Sequence, residues 1–181
     1  YRHFIPSVVK QITSRSEFMT SYTPYQPEVS QGTLQAHFEF QSMVCELTGM
    51  EAANAGMYDG ATSAAEAVLM ACRINKNFTV NIVDGVSPLY TDVIKTLTQA
   101  SGINIEHKDL NTVLAGSDEP PACYVVQQPN FSGEIEDFDK LTKISKLNNA
   151  LLIVITEPMF LSMYKTPDHY GADIVVAEGH P

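Results

Sequence analysis

Basic residues are scarce in this 181-residue chain. Eleven lysines and arginines stand against 21 aspartates and glutamates, a formal net charge of −10. That balance argues against nucleic acid or an anionic membrane as the main partner, since both would meet net repulsion. Cysteine is sparse too: only Cys45, Cys72 and Cys123 occur, and no pair has metal-ligand spacing. The odd count disfavours a disulfide scaffold. Two of these thiols fall in apolar helical patterns and one opens an apolar run, so buried thiols in a reducing, cytoplasmic compartment are expected. No apolar run reaches membrane-spanning length, and no signal peptide is recognisable. The GxGxxG fingerprint, the GxxxxGK(S/T) loop and the GxSxG elbow are all missing. A dinucleotide-binding Rossmann domain therefore lacks its glycines, and an α/β-hydrolase lacks its nucleophile turn.

What is present suffices for a real core. Apolar residues make up 44% of the chain, and the length fits one domain or a domain with a small appendage. Pro6 is placed to start a short helix carrying Val8, Val9 and Ile12. Tyr22-Thr23-Pro24-Tyr25-Gln26-Pro27-Glu28 has two prolines and two tyrosines in seven residues. It reads as a stiff, extended loop that either displays its phenols or packs them as half-buried anchors. A helix is expected from near Gln31 to Thr48, with Leu34, His37, Phe38, Gln41, Val44, Cys45 and Thr48 on one stripe and Gly49 as its stop.

Further on, strand and helix alternate. Phe78 to Val83 reads as a strand and Leu89 to Ala100 as a helix with Leu89, Val93, Ile94 and Leu97 on one side. Ile103 to His107 reads as a strand, 111 to 121 as a loop with an acidic tip, and Cys123 to Gln127 as a strand. Ile135, Phe138, Leu141 and Ile144 mark a helix, and Leu151 to Ile155 and Ile174 to Val176 two last strands. Fully apolar strands alternating with helices imply a mostly parallel sheet covered on both faces. The turns after the strands, at Asp84, Gln127 and Thr156, then line one rim, where open sheets bind ligands.

One stretch stands out. Within Asn54 to Ala67, a short polar turn with two glycines runs straight into a small-residue helix. Two helix starts are open: Thr62 as cap, or Ser63 as cap with Glu66 closing a capping box. Either start aims backbone N–H groups at the turn, which suits a phosphate or carboxylate. Ala64, Ala65, Val68, Leu69, Ala71 and Cys72 follow a helical period. An ordinary tight corner is the alternative.

Several of these stretches resemble the glycine-cleavage P-protein family. They are Tyr22 to Glu28, Ser30-Gln31-Gly32, Glu39-Phe40-Gln41, Glu46 to Met50, Tyr58-Asp59-Gly60-Ala61-Thr62 and Gly171 to Val176. Within it the chain is similar to the alpha branch of the two-chain form, covering only part of the large domain. Both ends look cut: the chain begins at Tyr1 without methionine and stops at Pro181. The resemblance implies an α/β, three-layer fold of the pyridoxal-phosphate transferase type (fold type I, aspartate-aminotransferase-like), truncated, with residues 1–50 an arm and helix and 51–181 a partial large domain. It also implies decarboxylation of glycine with transfer of the aminomethyl group to the lipoyl group of H-protein. The Schiff-base lysine is then on a partner beta subunit (subunit 2), within a two-alpha, two-beta assembly.

The resemblance places Tyr58, Asp59, Gly60, Ala61 and Thr62 at a phosphate-cup segment, and Tyr22, Tyr25 and Glu28 on a loop at the substrate or the interface. No catalytic residue and no metal ligand is expected in this chain. Ala177-Glu178-Gly179-His180-Pro181 holds no lysine, Lys165 falls in a loop, and Glu157 is a rim acid after a strand. Two other readings remain open: a small anion- or cofactor-binding scaffold domain, and a self-contained pyridoxal-phosphate enzyme with its lysine beyond residue 181.

Overall fold

A computed structural model describes residues 4–19, 23–116 and 119–180. In chain order its elements are α1 (Ser7–Thr13), α2 (Ser16–Met19), α3 (Gln31–Thr48), α4 (Gly60–Asn75), β1 (Thr79–Val83), α5 (Pro88–Thr98), β2 (Asn104–Lys108), α6 (Leu110–Ala115), β3 (Cys123–Gln128), α7 (Asp139–Leu147), β4 (Leu151–Thr156) and β5 (Ile174–Ala177). The chain divides into two compact units, Tyr1–Cys45 with Ala52–Ala55, and Glu46–Glu51 with Gly56–Pro181.

The first unit is helical. α1 starts after Pro6, and α3 spans the expected residues. Leu34, Gln41, Val44 and Cys45 are half-buried, but His37 and Phe38 of the expected stripe are exposed. The Gln41 Nε2 donates to the Ala53 carbonyl over 2.5 Å, tying the helix to the segment that returns beside it.

In the second unit all five strands run parallel, in the order β2-β1-β3-β4-β5. α4 and α5 pack together on one face. Their core joins Ala64, Ala65, Val68, Ala71 and Cys72 to Val80, Ile82, Val125, Ile153 and Ile155. On the other face, Val83, Tyr124, Val126, Leu152 and Val154 meet Val113 of α6 and Leu141 of α7, beside Phe138. Alternate residues of each strand thus serve opposite faces, as the strand period requires, and β3 and β4 are covered on both sides. Cys72 and Cys123 are buried and Cys45 half-buried; burial pushes the Cys72 and Cys123 thiols up. No helix among the described residues is long and apolar enough to cross a membrane.

Five expectations are corrected. The cap of α4 is Asp59, not Thr62 or Ser63. The Asp59 carboxylate accepts from the Thr62 N–H over 2.7 Å, while Ser63 turns its hydroxyl onto the Asp59 carbonyl at 2.8 Å. An ionised acceptor at the positive end of a helix is favoured over a neutral hydroxyl. Within α4, Ala67 is buried and Leu69 only half-buried. The stretch 111–121 is not wholly loop: Asp109 caps α6 by accepting from the Thr112 N–H at 3.0 Å. On α5 the buried stripe is Thr91, Ile94 and Thr98, with Leu89 73% exposed. The Thr98 hydroxyl is satisfied by the Ile94 carbonyl. Finally, α7 begins at Asp139, leaving Ile135 in the preceding loop and exposed.

Candidate functional site

The N-terminus of α4 meets the end of β5, at the rim formed by the strand C-termini. Gly60 is the first helical residue and is buried. Its N–H donates to the Glu178 Oε1 over 2.7 Å, and Glu178 is the first residue after β5. The Tyr90 hydroxyl, from the first turn of α5, lies 3.4 Å from the same oxygen. One carboxylate therefore joins three elements.

Space at this junction is closed. A Cβ placed on Gly60 would stand 2.8 Å from Glu178 Oε1 and would clash with the Tyr90 hydroxyl. Only glycine lets the helix start approach so near. Burial and the charge of Glu178 push the Tyr90 phenol up to about 12, with Asp59 and Glu157 adding to the effect. The backbone N–H of Thr62 holds the Asp59 carboxyl below the usual range.

Of the expected site residues, Tyr58, Asp59, Gly60, Ala61 and Thr62 sit together here. Tyr58 is 92% exposed, and Ala61 and Thr62 are half-buried. Tyr25 and Glu28 belong to the first unit. Tyr25 is 86% exposed rather than a half-buried anchor, and its N–H bonds back to the Thr23 carbonyl, so the loop turns there instead of running fully extended. Glu28 lines an open groove of about 290 Å³ with Ser16, Glu17, Val29, Gln31 and Gly32. Tyr22 lies outside the described residues. Lys165 is in a loop and Glu157 is exposed at the rim.

Two residues escaped sequence reasoning, Glu178 and Tyr90. Glu178 carried a signal, since any residue just after a parallel strand falls on the rim. Tyr90 carried none, because its neighbour on the sheet edge is distant in sequence.

These residues do not fit the phosphate of a pyridoxal cofactor held by this chain. The helix-start N–H groups of Gly60 and Thr62 are each engaged by a carboxylate. Asp59, Glu157 and Glu178 bring like charge. No group of three or more potential metal-ligating side chains converges among the described residues.

Residues 1–181 match the family model of the glycine cleavage system P-protein. A protein of Desulforamulus reducens described as a probable glycine dehydrogenase (decarboxylating) subunit 1 is 48% identical over 99% of this chain and 42% of its own length. A crystal structure of glycine decarboxylase (P-protein) of the glycine cleavage system, in inhibitor-bound form, superposes with a TM-score of 0.87 at 43% identity, over 98% of this chain and 41% of that one. An O-acetylhomoserine (thiol)-lyase of Campylobacter jejuni, solved with N′-pyridoxyl-lysine-5′-monophosphate, shares the fold with a TM-score of 0.65 at 13% identity, over 88% and 43% of the two chains. The chain spans about two-fifths of the length of the relatives it matches.

Proposed function

This chain belongs to the glycine cleavage system P-protein family, and on that premise we propose that it is part of subunit 1 of a glycine decarboxylase whose cofactor lysine is on subunit 2. The reaction supported is decarboxylation of glycine, with the aminomethyl group passing to the lipoyl group of H-protein. Pyridoxal phosphate, held mainly by the partner, supplies the electron sink for that decarboxylation.

The observation that carries this reading is the closed rim. Where this fold leaves room for an anion at a helix start, the chain presents its own carboxylates and Tyr90. A helix start already answered by carboxylates is poorly suited to hold the cofactor phosphate, so the contribution of this chain is to shape a neighbouring site. Tyr58 is the leading candidate for that contact: a large phenol, almost wholly exposed, fixed by the capped turn beside it. Asp59, Gly60, Ala61 and Thr62 hold that turn in place. Tyr22, Tyr25 and Glu28 are proposed as a second contact loop, with Tyr25 exposed where packing alone would favour burial.

The test is glycine–bicarbonate exchange with complete subunits 1 and 2, together and apart. Exchange is expected only from the mixture, and Tyr58→Ala is expected to reduce it without preventing association. Full exchange by either subunit alone would overturn the proposal.

A further inference from the structure

We propose that Glu178 is a built-in counter-anion for helix α4: its carboxylate occupies the place at the Gly60 N–H that a free phosphate would need, and it fastens the end of β5 to the start of α4. The inference concerns the interior of this chain and stands whether or not a partner subunit shares the reaction.

A helix start presents N–H groups without partners and a partial positive charge, and an anion is the usual answer to both. In most helices a side chain next to the start gives that answer. Asp59 does so here for the Thr62 N–H. Gly60 is answered from 118 residues away, by Glu178 at 2.7 Å. A local cap makes no bond to the sheet, whereas this one adds a polar link between the start of α4 and the end of the edge strand β5.

Three features make the contact a built one. Gly60 has no side chain, and a Cβ there would strike both Tyr90 and Glu178. The Tyr90 hydroxyl closes the carboxylate from the α5 side. Asp59 stands on the same helix start, so a dianion arriving here would face two carboxylates and find the Gly60 and Thr62 N–H groups taken. With Glu178 present, a phosphate monoester is denied the Gly60 and Thr62 N–H groups and meets two carboxylates of its own sign. Glu178 is thus a positioning residue, and the segment after β5 is held by it.

The experiment follows the Gly60 amide in the complete subunit by NMR and by hydrogen exchange, with inorganic phosphate and pyridoxal phosphate as probes. In the native protein neither probe is expected to move the Gly60 resonance. In Glu178→Ala the amide is expected to exchange about tenfold faster, matching loss of one charge-assisted hydrogen bond at a half-buried place. Glu178→Gln, which keeps an acceptor but drops the charge, is expected to fall between and serves as the readout should Glu178→Ala not fold. A Gly60 resonance that shifts saturably with phosphate in the native protein would overturn the inference. So would exchange at Gly60 that neither substitution changes. Because no turnover is read, failure here is distinct from failure of the exchange assay.

Discussion

Replacing Gly60 by alanine probes the junction at its tightest point. The new methyl would stand 2.8 Å from Glu178 Oε1 and against the Tyr90 hydroxyl, so at least one of them must withdraw. Both obstacles are side-chain tips, and the half-buried Glu178 is the more flexible, so its withdrawal is the cheaper response and little overpacking remains. If Glu178 withdraws, its bond to the Gly60 N–H is lost as well, at roughly 1.5–3 kcal/mol for a charged acceptor, less here because Glu178 is half-buried. Alanine regains at most about 1 kcal/mol of helix propensity, and less at the first helical position. The balance is a destabilisation of about 1 kcal/mol, or roughly 2–8 °C in Tm for a unit of this size. Urea unfolding followed by far-ultraviolet circular dichroism measures it. The same substitution in a Glu178→Ala background should cost less, since one of the two obstacles is gone. A Gly60→Ala variant as stable as the native protein, or more so, would refute the crowding on which this account of the helix start rests.

Other outcomes follow from the same structure. Asp59→Ala should lose about 1 kcal/mol through the missing cap at Thr62, with Asp59→Asn, which keeps the acceptor but not the charge, losing less; equal losses in the two variants would show that capping is not what Asp59 does. Asn81 lies in β1, almost fully buried, and its Oδ1 has no partner among the described residues. Asn81→Leu is therefore expected to raise stability by about 1 kcal/mol, and a loss would mean that the oxygen is satisfied. Tyr90 is favoured neutral in the folded chain, its pKa pushed up to about 12 from the ordinary value near 10. The folded state thus binds the proton more tightly than the unfolded one. That contribution is full below pH 10 and is lost as pH rises through about 12. In urea unfolding at alkaline pH, Tyr90→Phe should remove this part of the decline, and identical slopes in both proteins would contradict it.

The sheet was largely legible from sequence because its strands are buried on both faces. Leu151 to Ile155 has no polar residue to confuse the period, and β4 lies where that run predicts. Helix α3 was legible from its helical period, carried by Leu34, Gln41, Val44 and Cys45, with Gly49 at its end, where the backbone turns left-handed at φ 78°. Helix faces were harder. On α5, Leu89 and Leu97 outrank Thr91 and Thr98 in hydrophobicity, yet the threonines are the buried ones, with the Thr98 hydroxyl satisfied within its own helix by the Ile94 carbonyl. The same limit applied at the helix start. Thr62, Ser63 and Asp59 are all competent caps by type, and only the three-dimensional path brings the Asp59 oxygen onto the Thr62 N–H. The Glu178–Gly60 bond spans 118 positions and has no local signature.

Borohydride reduction of the assembled two-subunit enzyme, followed by peptide mapping, tests the central claim most directly. Reduction fixes pyridoxal phosphate to whichever lysine holds it as an imine. The pyridoxyl group is predicted on subunit 2 alone, with every lysine of residues 1–181 unmodified. A stoichiometric pyridoxyl adduct on a lysine of this chain, Lys165 or any other, would contradict the account.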